Sequence, residues 1–348
     1  MTDARSSDQP DQGSSWVSRH MRAVGLAGCL ALALAGAGAG ATLASGNSGN
    51  SGTGKATAAS GKRHRHMHGR HGKQGAGNKA GVFHTVCTYS HSAGDDPILM
   101  PGKPGASMLH DFFGNTTTKA SSTAPQLVGG PTTCATSADS SGYWTPALYD
   151  NGQRVLPSKV ATYWRGASRT ASTTPLPAGL QMIAGNEQAT SPQPADHVYW
   201  QCHAVTGSQS TRNGPKSSAP HECPAGQEML LTINFPSCWD GHTLSAVGQD
   251  NVVYPSGSRC PASHPVALSR LALHVHYPNR PGGKFTLSMG PGMQGSIYSE
   301  HADFLDGWNI TVLDRLTTTC LDTHSKCGKV TGPNGTPQPA MGSPSSSS

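Results

Sequence analysis

The sequence predicts a mainly β domain over residues 82–328, a single β-sandwich or jelly-roll-like unit with long ordered loops and little helix. Aliphatic and aromatic residues come in short bursts interrupted by Gly and Pro, as in strands joined by turns. Long stretches with the helical period of about 3.6 residues are absent. Eight of the nine cysteines fall inside this region, enough for four disulfides that restrain the loops.

Short apolar runs mark the strands and indicate which residues face the core. Side chains alternate between the two faces of a strand. The odd-numbered residues of 230–235 and of 271–277 are apolar and share a face in each run, whereas His274 and His276 point the other way. The predicted strands are Gln181–Ala184, Leu230–Phe235, Leu271–Tyr277, Lys284–Ser288 and Ile310–Leu313.

An export segment is predicted within residues 1–45. The stretch 23–44 contains no charged residue and follows Arg19 and Arg22. It is either a cleaved signal peptide or a membrane anchor, because about 20 apolar residues can span a bilayer. Its many small residues favour cleavage near Ala44. We therefore expect a secreted, extracellular protein, or one held on the outer face of the membrane by this segment.

Both flanks of the domain carry little apolar surface. Residues 46–81 are predicted to be a disordered linker and residues 329–348 a disordered tail. The linker contains a basic, histidine-rich segment at 62–73, KRHRHMHGRHGK. The favoured interpretation is a solvated tether that meets anionic wall polymer or lipid. The alternative is transition-metal binding by its imidazoles.

The basic charge of the chain belongs to these flanks. The whole chain has a formal net charge of +6. Residues 82–328 hold 14 Lys and Arg against 16 Asp and Glu, so the domain itself has a net charge of −2. A nucleic-acid-binding surface needs clustered basic residues. The composition therefore predicts no nucleic-acid partner, and we expect a monomer.

Cysteine spacing predicts disulfides rather than a zinc ribbon, because no CxxC pair occurs. The short separation between Cys320 and Cys327 favours their pairing, and Cys223 pairs with either Cys238 or Cys202. The full pairing is left open by spacing alone. The predicted disulfide cysteines are Cys87, Cys134, Cys202, Cys223, Cys238, Cys260, Cys320 and Cys327.

Three stretches place histidine beside aspartate and could carry chemistry. His110 and Asp111 are neighbours, so on a strand they face opposite ways, whereas His301 and Asp303 share a face. Asp240 follows an apolar run and sits in the sequence PSCWDGH. The alternative is that each histidine–aspartate pair is hydrogen-bonded and has only a structural role. The candidate catalytic residues are His110, Asp111, Asp240, His301 and Asp303.

Aromatic residues concentrate around residues 141–149, SGYWTPALY. Flat aromatic faces suit sugar rings, but aromatics also bury large areas in ordinary cores, and the sequence leaves both readings open. The candidate substrate-binding residues are Tyr143, Trp144, Tyr149, Trp164 and Trp239.

A series of segments in fixed order resembles the secreted bacterial and fungal family DUF1996, a domain of unknown function. The segments are DPILMPGKPGASMLHDFFGN, YWTPALY, GLQMIAGN, INFPSCWDG, CPASHPV and HADFLDGW, and the resemblance covers about residues 82–320. It implies an extracellular β-rich domain, often beside carbohydrate-binding or cell-wall modules, but no established reaction. The family usually resembles His-x-His before the Phe pair. Here Met108 occupies the first position and His110 the second.

The leading functional expectation is a secreted protein that binds or acts on polysaccharide, with a cell-wall polymer as partner. A glycan hydrolase needs two carboxylates across a cleft, for which the sequence offers Asp111, Asp240 and Asp303. Sequence signals of other hydrolases, such as G-x-S-x-G and HExxH, are absent. A surface protein with no chemistry is a further alternative.

A different class of function is metal binding. The expected cofactor is then a divalent transition metal, held by His110, His264 and His301, with His274 and His276 as an alternative pair on one strand face. The two functional classes differ in whether these side chains converge on one place.

Overall fold

Antiparallel strands dominate the computed structural model, which describes residues 80–167, 172–205 and 213–338. Two short helices are present, α1 Ala124–Leu127 and α2 Ile310–Leu316, with a 3₁₀ turn at Ile297–Ser299 and a π-helical turn at Thr317–Leu321. The predicted mainly β class is confirmed. The strands in chain order are β1 Val82–Ala93, β2 His110–Gly114, β3 Gly142–Pro146, β4 Leu148–Asp150, β5 Gln153–Val155, β6 Lys159–Arg165, β7 Gln181–Gly185, β8 Val198–Ala204, β9 Gln227–Asn234, β10 Cys238–Trp239, β11 Val252–Val253, β12 Val266–Ala267, β13 Arg270–Tyr277, β14 Phe285–Gly290, β15 Met293–Gly295, β16 His301–Leu305, β17 Lys326–Thr331 and β18 Thr336–Pro337.

Strand β1 belongs to both halves of a curled 11-stranded sheet. Its first part, from Val82 to Thr88, pairs with β6, and its second part, from Tyr89 to Ala93, pairs with β2. The register shifts between Tyr89 and His91, where the strand passes from one half to the other. One half has the order β7-β16-β3-β2 and the other β6-β13-β9-β8. Two smaller sheets, β11-β10-β12 and β15-β14-β4-β5, complete the fold.

The two halves pack face to face around the main core. Trp164 of β6 lies edge-on to Phe304 of β16, with ring centroids 5.9 Å apart. Trp308, after β16, packs against both Phe83 and Trp164. The apolar odd-numbered residues of β9 and β13 join this core, as their alternation predicts. A large aromatic core between two sheet layers is the arrangement of a sandwich.

A second, smaller core lies on the other face of the half-sheet β7-β16-β3-β2. It gathers apolar residues of its strands, of α1 and of the loops around it: Ile98, Phe112, Ala124, Leu127, Trp144, Ile183, Ala246 and Leu305. This half-sheet is therefore covered on both faces. Polar side chains at the end of either face are removed from solvent.

Four disulfides link the eight cysteines of the described residues, and they indicate folding in an oxidising environment. The predicted pairing of Cys320 with Cys327 is confirmed, and the alternative partners of Cys223 resolve in favour of Cys202. The remaining two bonds are Cys87–Cys134 and Cys238–Cys260.

The segment Ile310–Leu313 is not a strand, and that prediction is wrong. It forms the start of α2 because Asn309 caps the helix, its side-chain oxygen accepting a hydrogen bond from the N–H of Val312 at 3.3 Å. Leu313 and Leu316, three residues apart, are both buried. β-branched residues lower helix propensity only slightly, so the cap and the buried face decide the conformation.

The ordered domain extends past the predicted boundary at residue 328. Residues 329–331 complete β17, in which Val330 is fully buried, and β18 then pairs with it. Gln338 donates its N–H to the carbonyl of Lys329 at 2.7 Å. These ladder bonds order a segment whose composition alone predicts disorder.

Several predictions fall outside the described residues. These are the export segment 23–44, the linker up to residue 79 and the tail from residue 339. In the part of the chain that the structure describes, no helix is both long and apolar enough to cross a membrane.

The carboxyl of Asp139 makes the stability of this fold depend on pH. Burial raises the pKa of Asp139 to about 7, although it accepts hydrogen bonds from the N–H of Ser141 and the hydroxyl of Tyr143. The proton is held more tightly in the folded chain. The stability this carboxyl contributes is therefore complete below pH about 4 and is lost as pH rises through about 7.

We expect Asp139→Asn to remove this loss. Between pH 4 and 8 the free energy of unfolding of the parent should fall relative to the variant, by about 4 kcal/mol, in urea titrations. Asp240→Asn is the control of opposite sign, because hydrogen bonds lower the pKa of Asp240 to about 2. The plot of its unfolding free energy against pH should run parallel to that of the parent above pH about 4 and should differ in slope only below it. Parallel profiles for Asp139→Asn and the parent would contradict the assignment.

Candidate metal centre

Three candidate residues meet above the end of β3, in the half-sheet that is covered on both faces. His110 on β2 lies opposite Pro146, the last residue of β3. Asp303 on β16 lies opposite Trp144, so the same register brings His301 level with Pro146 from the other side. The two imidazoles therefore lie on the same face of the half-sheet, on either side of Pro146. Their ring centroids are 5.7 Å apart and their planes perpendicular.

Each imidazole is held in one tautomer by a backbone carbonyl. Nδ1 of His110 lies 3.0 Å from the carbonyl oxygen of Asp95, and Nδ1 of His301 lies 2.8 Å from that of Ser299. A carbonyl oxygen only accepts, so Nδ1 carries the proton in both rings. The lone pair of each ring is then on Nε2. Metal-binding histidines are commonly fixed by a bond of this kind.

Burial keeps both rings neutral. His110 is 0 % and His301 2 % exposed. Burial lowers the pKa of His110 to about 3, with a further contribution from His301. Burial likewise lowers the pKa of His301, while its bond to Ser299 and the charge of Asp96 oppose the shift. Neutral imidazole is the form that binds a metal.

Asp303 faces these rings without a hydrogen-bond partner. It is fully buried, and both carboxylate oxygens are unpaired. Its Oδ2 lies 3.8 Å from Nε2 of His301. Burial, followed by the charges of Asp96 and Glu187, raises the pKa of Asp303 well above its usual range. Within the described residues, no Lys or Arg forms an ion pair with it.

The three groups have the chemistry of a set of metal ligands. One ligand atom from each of His110, His301 and Asp303 lies within 4.8 Å of the others. Bonds of about 2.0–2.2 Å from imidazole nitrogen and carboxylate oxygen to zinc require only a modest contraction of this set. Nε2 of His110 is itself buried without a partner. The residues therefore fit a divalent transition metal, which would also neutralise the unpaired carboxylate.

The sequence Asp95-Asp96-Pro97 builds the cover over this cluster. Besides holding His110 through its carbonyl, Asp95 accepts hydrogen bonds from the N–H of Gly105 and of Ala120, both at 2.9 Å. It thus ties two surface loops to β2. Asp96 is 2 % exposed and caps the following turn by accepting from the N–H of Ile98 and Leu99.

Asp111 lies on the opposite face of β2, as strand alternation predicts. Its Oδ1 pairs with Arg154 at 2.5 Å and accepts from the hydroxyl of Ser92 at 2.6 Å. Nearby, Glu300 is buried with both oxygens unpaired, and burial followed by the charge of Asp111 raises its pKa well above the usual range. Asp111 therefore belongs to a separate polar cluster.

The remaining histidine and aspartate candidates lie elsewhere. Asp240 sits in the turn after β10, where its Oδ1 accepts from the N–H of His242 at 2.9 Å and of Thr243 at 2.8 Å. Partial burial opposes these bonds, which nevertheless lower its pKa to about 2. His264 has Nε2 bonded to the carbonyl of Asp250 at 2.5 Å and Nδ1 to the hydroxyl of Ser263 at 3.0 Å. It is not part of the metal cluster.

Most of the candidate sugar-binding aromatics have little or no free surface. Tyr143, Trp144 and Trp164 are 0 % exposed and belong to the cores. Tyr149 and Trp239 are half-buried, and the indole N–H of Trp239 donates to the carbonyl of Thr243 at 2.7 Å. In this fold the aromatic density around residues 141–149 serves packing.

Sequence reasoning did not single out Asp95, Asp96, Arg154 or Glu300. The acidic pair Asp95-Asp96 before a proline was visible, but its role depends on where two loops cross the sheet. Strand alternation offered one signal for Glu300, because a residue next to His301 must face the other way. Arg154 reaches Asp111 across 43 positions in sequence, and no local pattern indicates that contact.

The fold and the cluster together define a class: a disulfide-bonded antiparallel β domain that carries a buried centre of two histidines and one aspartate. The chain belongs to the family described as "Domain of unknown function (DUF1996)", whose model matches residues 96–308. That range begins at Asp96 and contains β2 and β16. A search of curated proteins and a search of solved structures each found no match.

The unpaired carboxylate predicts an unusual effect of Asp303→Asn. In the presence of a chelator, the variant should unfold at a higher urea concentration than the parent, because the amide has the same shape and, unlike the carboxyl, need not take up a proton on burial. Asp111→Asn is the matched control in the same sheet. It removes the partner of Arg154 and should lower stability, by about 1–3 kcal/mol.

A lower urea midpoint for Asp303→Asn than for the metal-free parent would contradict this account. It would mean that the carboxylate has a stabilising partner in the folded chain. Circular dichroism at the same pH for all three proteins provides the measurement.

Proposed function

We propose that the domain is an extracellular metal-binding protein that holds a divalent transition metal between Nε2 of His110, Nε2 of His301 and the carboxylate of Asp303. One observation carries the proposal: two buried imidazoles with fixed Nδ1 protons direct free lone pairs towards a buried, unpaired carboxylate. Burying an uncompensated carboxylate costs several kcal/mol, about 3–5 when its partner is missing. A bound cation offsets that cost.

The donor set defines the class of metal. Two imidazoles and one carboxylate suit zinc, iron(II) and their first-row neighbours, and they disfavour calcium and magnesium, which take oxygen ligands. Three protein ligands leave at least one coordination position for water. A metal held by these three ligands would act as a Lewis acid and would lower the pKa of a water molecule bound at the open position.

The burial of the ligands supports a resident metal rather than a site for a polymer. His110, His301 and Asp303 are each at most 2 % exposed. Asp95 ties two loops to His110 through its carboxylate and its carbonyl. The metal would therefore fix the positions of β2 and β16 and stabilise the fold. Within the described residues, ligands buried to this degree leave almost no surface for a long glycan to contact.

The candidate carboxylates do not support glycan hydrolysis. Asp111 and Asp303 lie on opposite faces of the half-sheet, and Asp240 lies in the turn of the small sheet β11-β10-β12. A glycosidase needs two carboxyl groups about 5–9.5 Å apart across an open cleft. The proposal therefore rests on the metal centre, where the side chains do converge.

The proposed location of the protein is outside the cell. The four disulfides support an oxidising compartment, and the stretch 23–44 supports secretion or attachment to the outer face of the membrane. A cell-wall polymer is the partner that the basic linker favours.

A second candidate function, glycan binding, has one specific observation in its favour. A surface groove of about 440 Å³ runs beside the end of β7 and is lined by amide and hydroxyl side chains. At one side the rings of His197 and Tyr254 stack, with centroids 3.6 Å apart. Amides that bond sugar hydroxyls beside an aromatic face are suited to a saccharide.

Metal binding is tested with the full chain, exported so that its disulfides form, in which His64, His66, His68 and His71 of the linker are replaced by serine. After removal of metal and reloading with zinc, elemental analysis should find one tightly bound equivalent at the proposed centre. His110→Gln and His301→Gln should each weaken it at least about 100-fold, since a direct ligand is lost.

His264→Gln is the matched control, because this histidine lies outside the cluster and should leave the tight equivalent unchanged. Zinc at 100 times the Kd of the parent should raise the unfolding free energy of the parent by about 2.7 kcal/mol and that of His301→Gln by much less. Equal zinc affinity in His110→Gln, His301→Gln and the parent would overturn the proposed centre.

Glycan binding is tested by co-sedimentation with insoluble cellulose, chitin and peptidoglycan. Tyr254→Ala should abolish retention on whichever polymer the parent binds. Tyr254→Phe keeps the ring face but loses the hydroxyl that donates to the carbonyl of Asn234, and it should still be retained. Retention of Tyr254→Ala at the level of the parent, or no retention of the parent on any polymer, would reject the groove as a glycan site.

A further inference from the structure

A second cluster of metal-binding side chains lies on the outer face of the other half-sheet, away from the main core. His203 on β8 and Glu228 on β9 are directly paired. His276 on β13 lies opposite Leu230, two residues along β9 from Glu228 on the same face. The three side chains therefore converge from adjacent strands. One ligand atom from each lies within 4.8 Å of the others.

The hydrogen bonds of this cluster fix the Nδ1 proton of each imidazole and leave its Nε2 lone pair free. Nδ1 of His276 lies 2.6 Å from Oε1 of Glu228, and Nδ1 of His203 lies 2.7 Å from Oδ1 of Asn213. Both oxygens are acceptors, so both Nδ1 atoms carry protons and the Nε2 lone pairs stay free. The rings are perpendicular, with centroids 5.5 Å apart. A carboxylate behind a histidine raises its strength as a metal ligand.

A disulfide holds this arrangement in place. Cys202, the residue before His203, is bonded to Cys223. Cys223 in turn exchanges two hydrogen bonds with the side chain of Asn279, just beyond β13, at 2.8 and 2.7 Å. The end of β8 is thereby tied to the end of β13. The positions of His203 and His276 are fixed before any ligand binds, which lowers the entropy cost of binding.

We propose that Nε2 of His203 and Nε2 of His276, whose ring Glu228 orients, form a second site for a divalent transition metal of the zinc and copper class, one that is open to solvent. Imidazole suits these metals. His203 and Glu228 are half-buried, in contrast to the fully covered ligands of the first centre. Lys159 lies close enough for its positive charge to act on both Glu228 and His276. Binding should therefore be weaker here than at the first centre, and metal should exchange freely.

The test uses copper(II) titrations of the full chain carrying the four linker His→Ser replacements, followed by electron paramagnetic resonance. In the parent, we expect a copper signal with nitrogen hyperfine splitting that is removed within seconds by chelator. His203→Gln and His276→Gln should each weaken the affinity for the copper that gives this signal at least about tenfold. His84→Gln is the matched control. It removes a half-buried histidine from the outer face of the same sheet and should leave the copper affinity unchanged.

Lys159→Gln distinguishes a metal site from a structural histidine pair. Removal of the neighbouring positive charge should raise copper affinity severalfold at low salt, and the gain should shrink at high salt. A structural role predicts no gain. The inference is overturned if His203→Gln binds copper as the parent does, if His84→Gln loses as much affinity as His203→Gln, or if Lys159→Gln leaves the affinity unchanged.

These experiments test the two proposed centres separately. Loss of the exchangeable copper signal in His203→Gln, with the tight zinc equivalent intact, supports the second site alone. Loss of the zinc equivalent in His110→Gln, with the exchangeable signal intact, supports the first.

Discussion

The fold depends on the continuity of β1 through both sheet layers. Because one backbone pairs with β6 along its first part and with β2 along its second, the two halves cannot separate without breaking its ladder. The register shift between Tyr89 and His91 turns the strand at the point of passage. The Cys87–Cys134 bond lies close to that point. The aromatic core and both polar clusters of the covered half-sheet follow from this closure.

Strand alternation then sorts the polar residues of that half-sheet. His110 and Asp111 are consecutive, as are Glu300 and His301, yet each pair is divided between the two faces. One face receives the imidazoles with Asp303, and the other receives the carboxylates that lie near Arg154. The same 2-residue period that separates core from solvent in an ordinary strand here separates two buried chemical environments.

Local patterns were sufficient wherever a property depends on neighbours in sequence. The shared face of His301 and Asp303, the core faces of β9 and β13 and the eight disulfide cysteines all followed from spacing. The meeting of His110 with His301 did not, because it depends on the register with which β2 and β16 pair on either side of β3. Asp240 attracted attention through its neighbours in sequence, whereas its oxygen is occupied by backbone N–H groups of its own turn. The helix after Trp308 was missed because a side-chain cap at Asn309 and the burial of Leu313 and Leu316 outweigh the β-branched composition.

The cover formed by the loops that Asp95 ties to β2 has a kinetic consequence for the proposed first centre. With ligands at most 2 % exposed, a metal ion enters or leaves only when that part of the chain opens. The rate of exchange is then limited by the frequency of local opening, which a bound metal would itself lower by linking β2 to β16. Ions captured while the chain folds in an oxidising environment would be retained against competitors met later, so metal identity would record the conditions of folding.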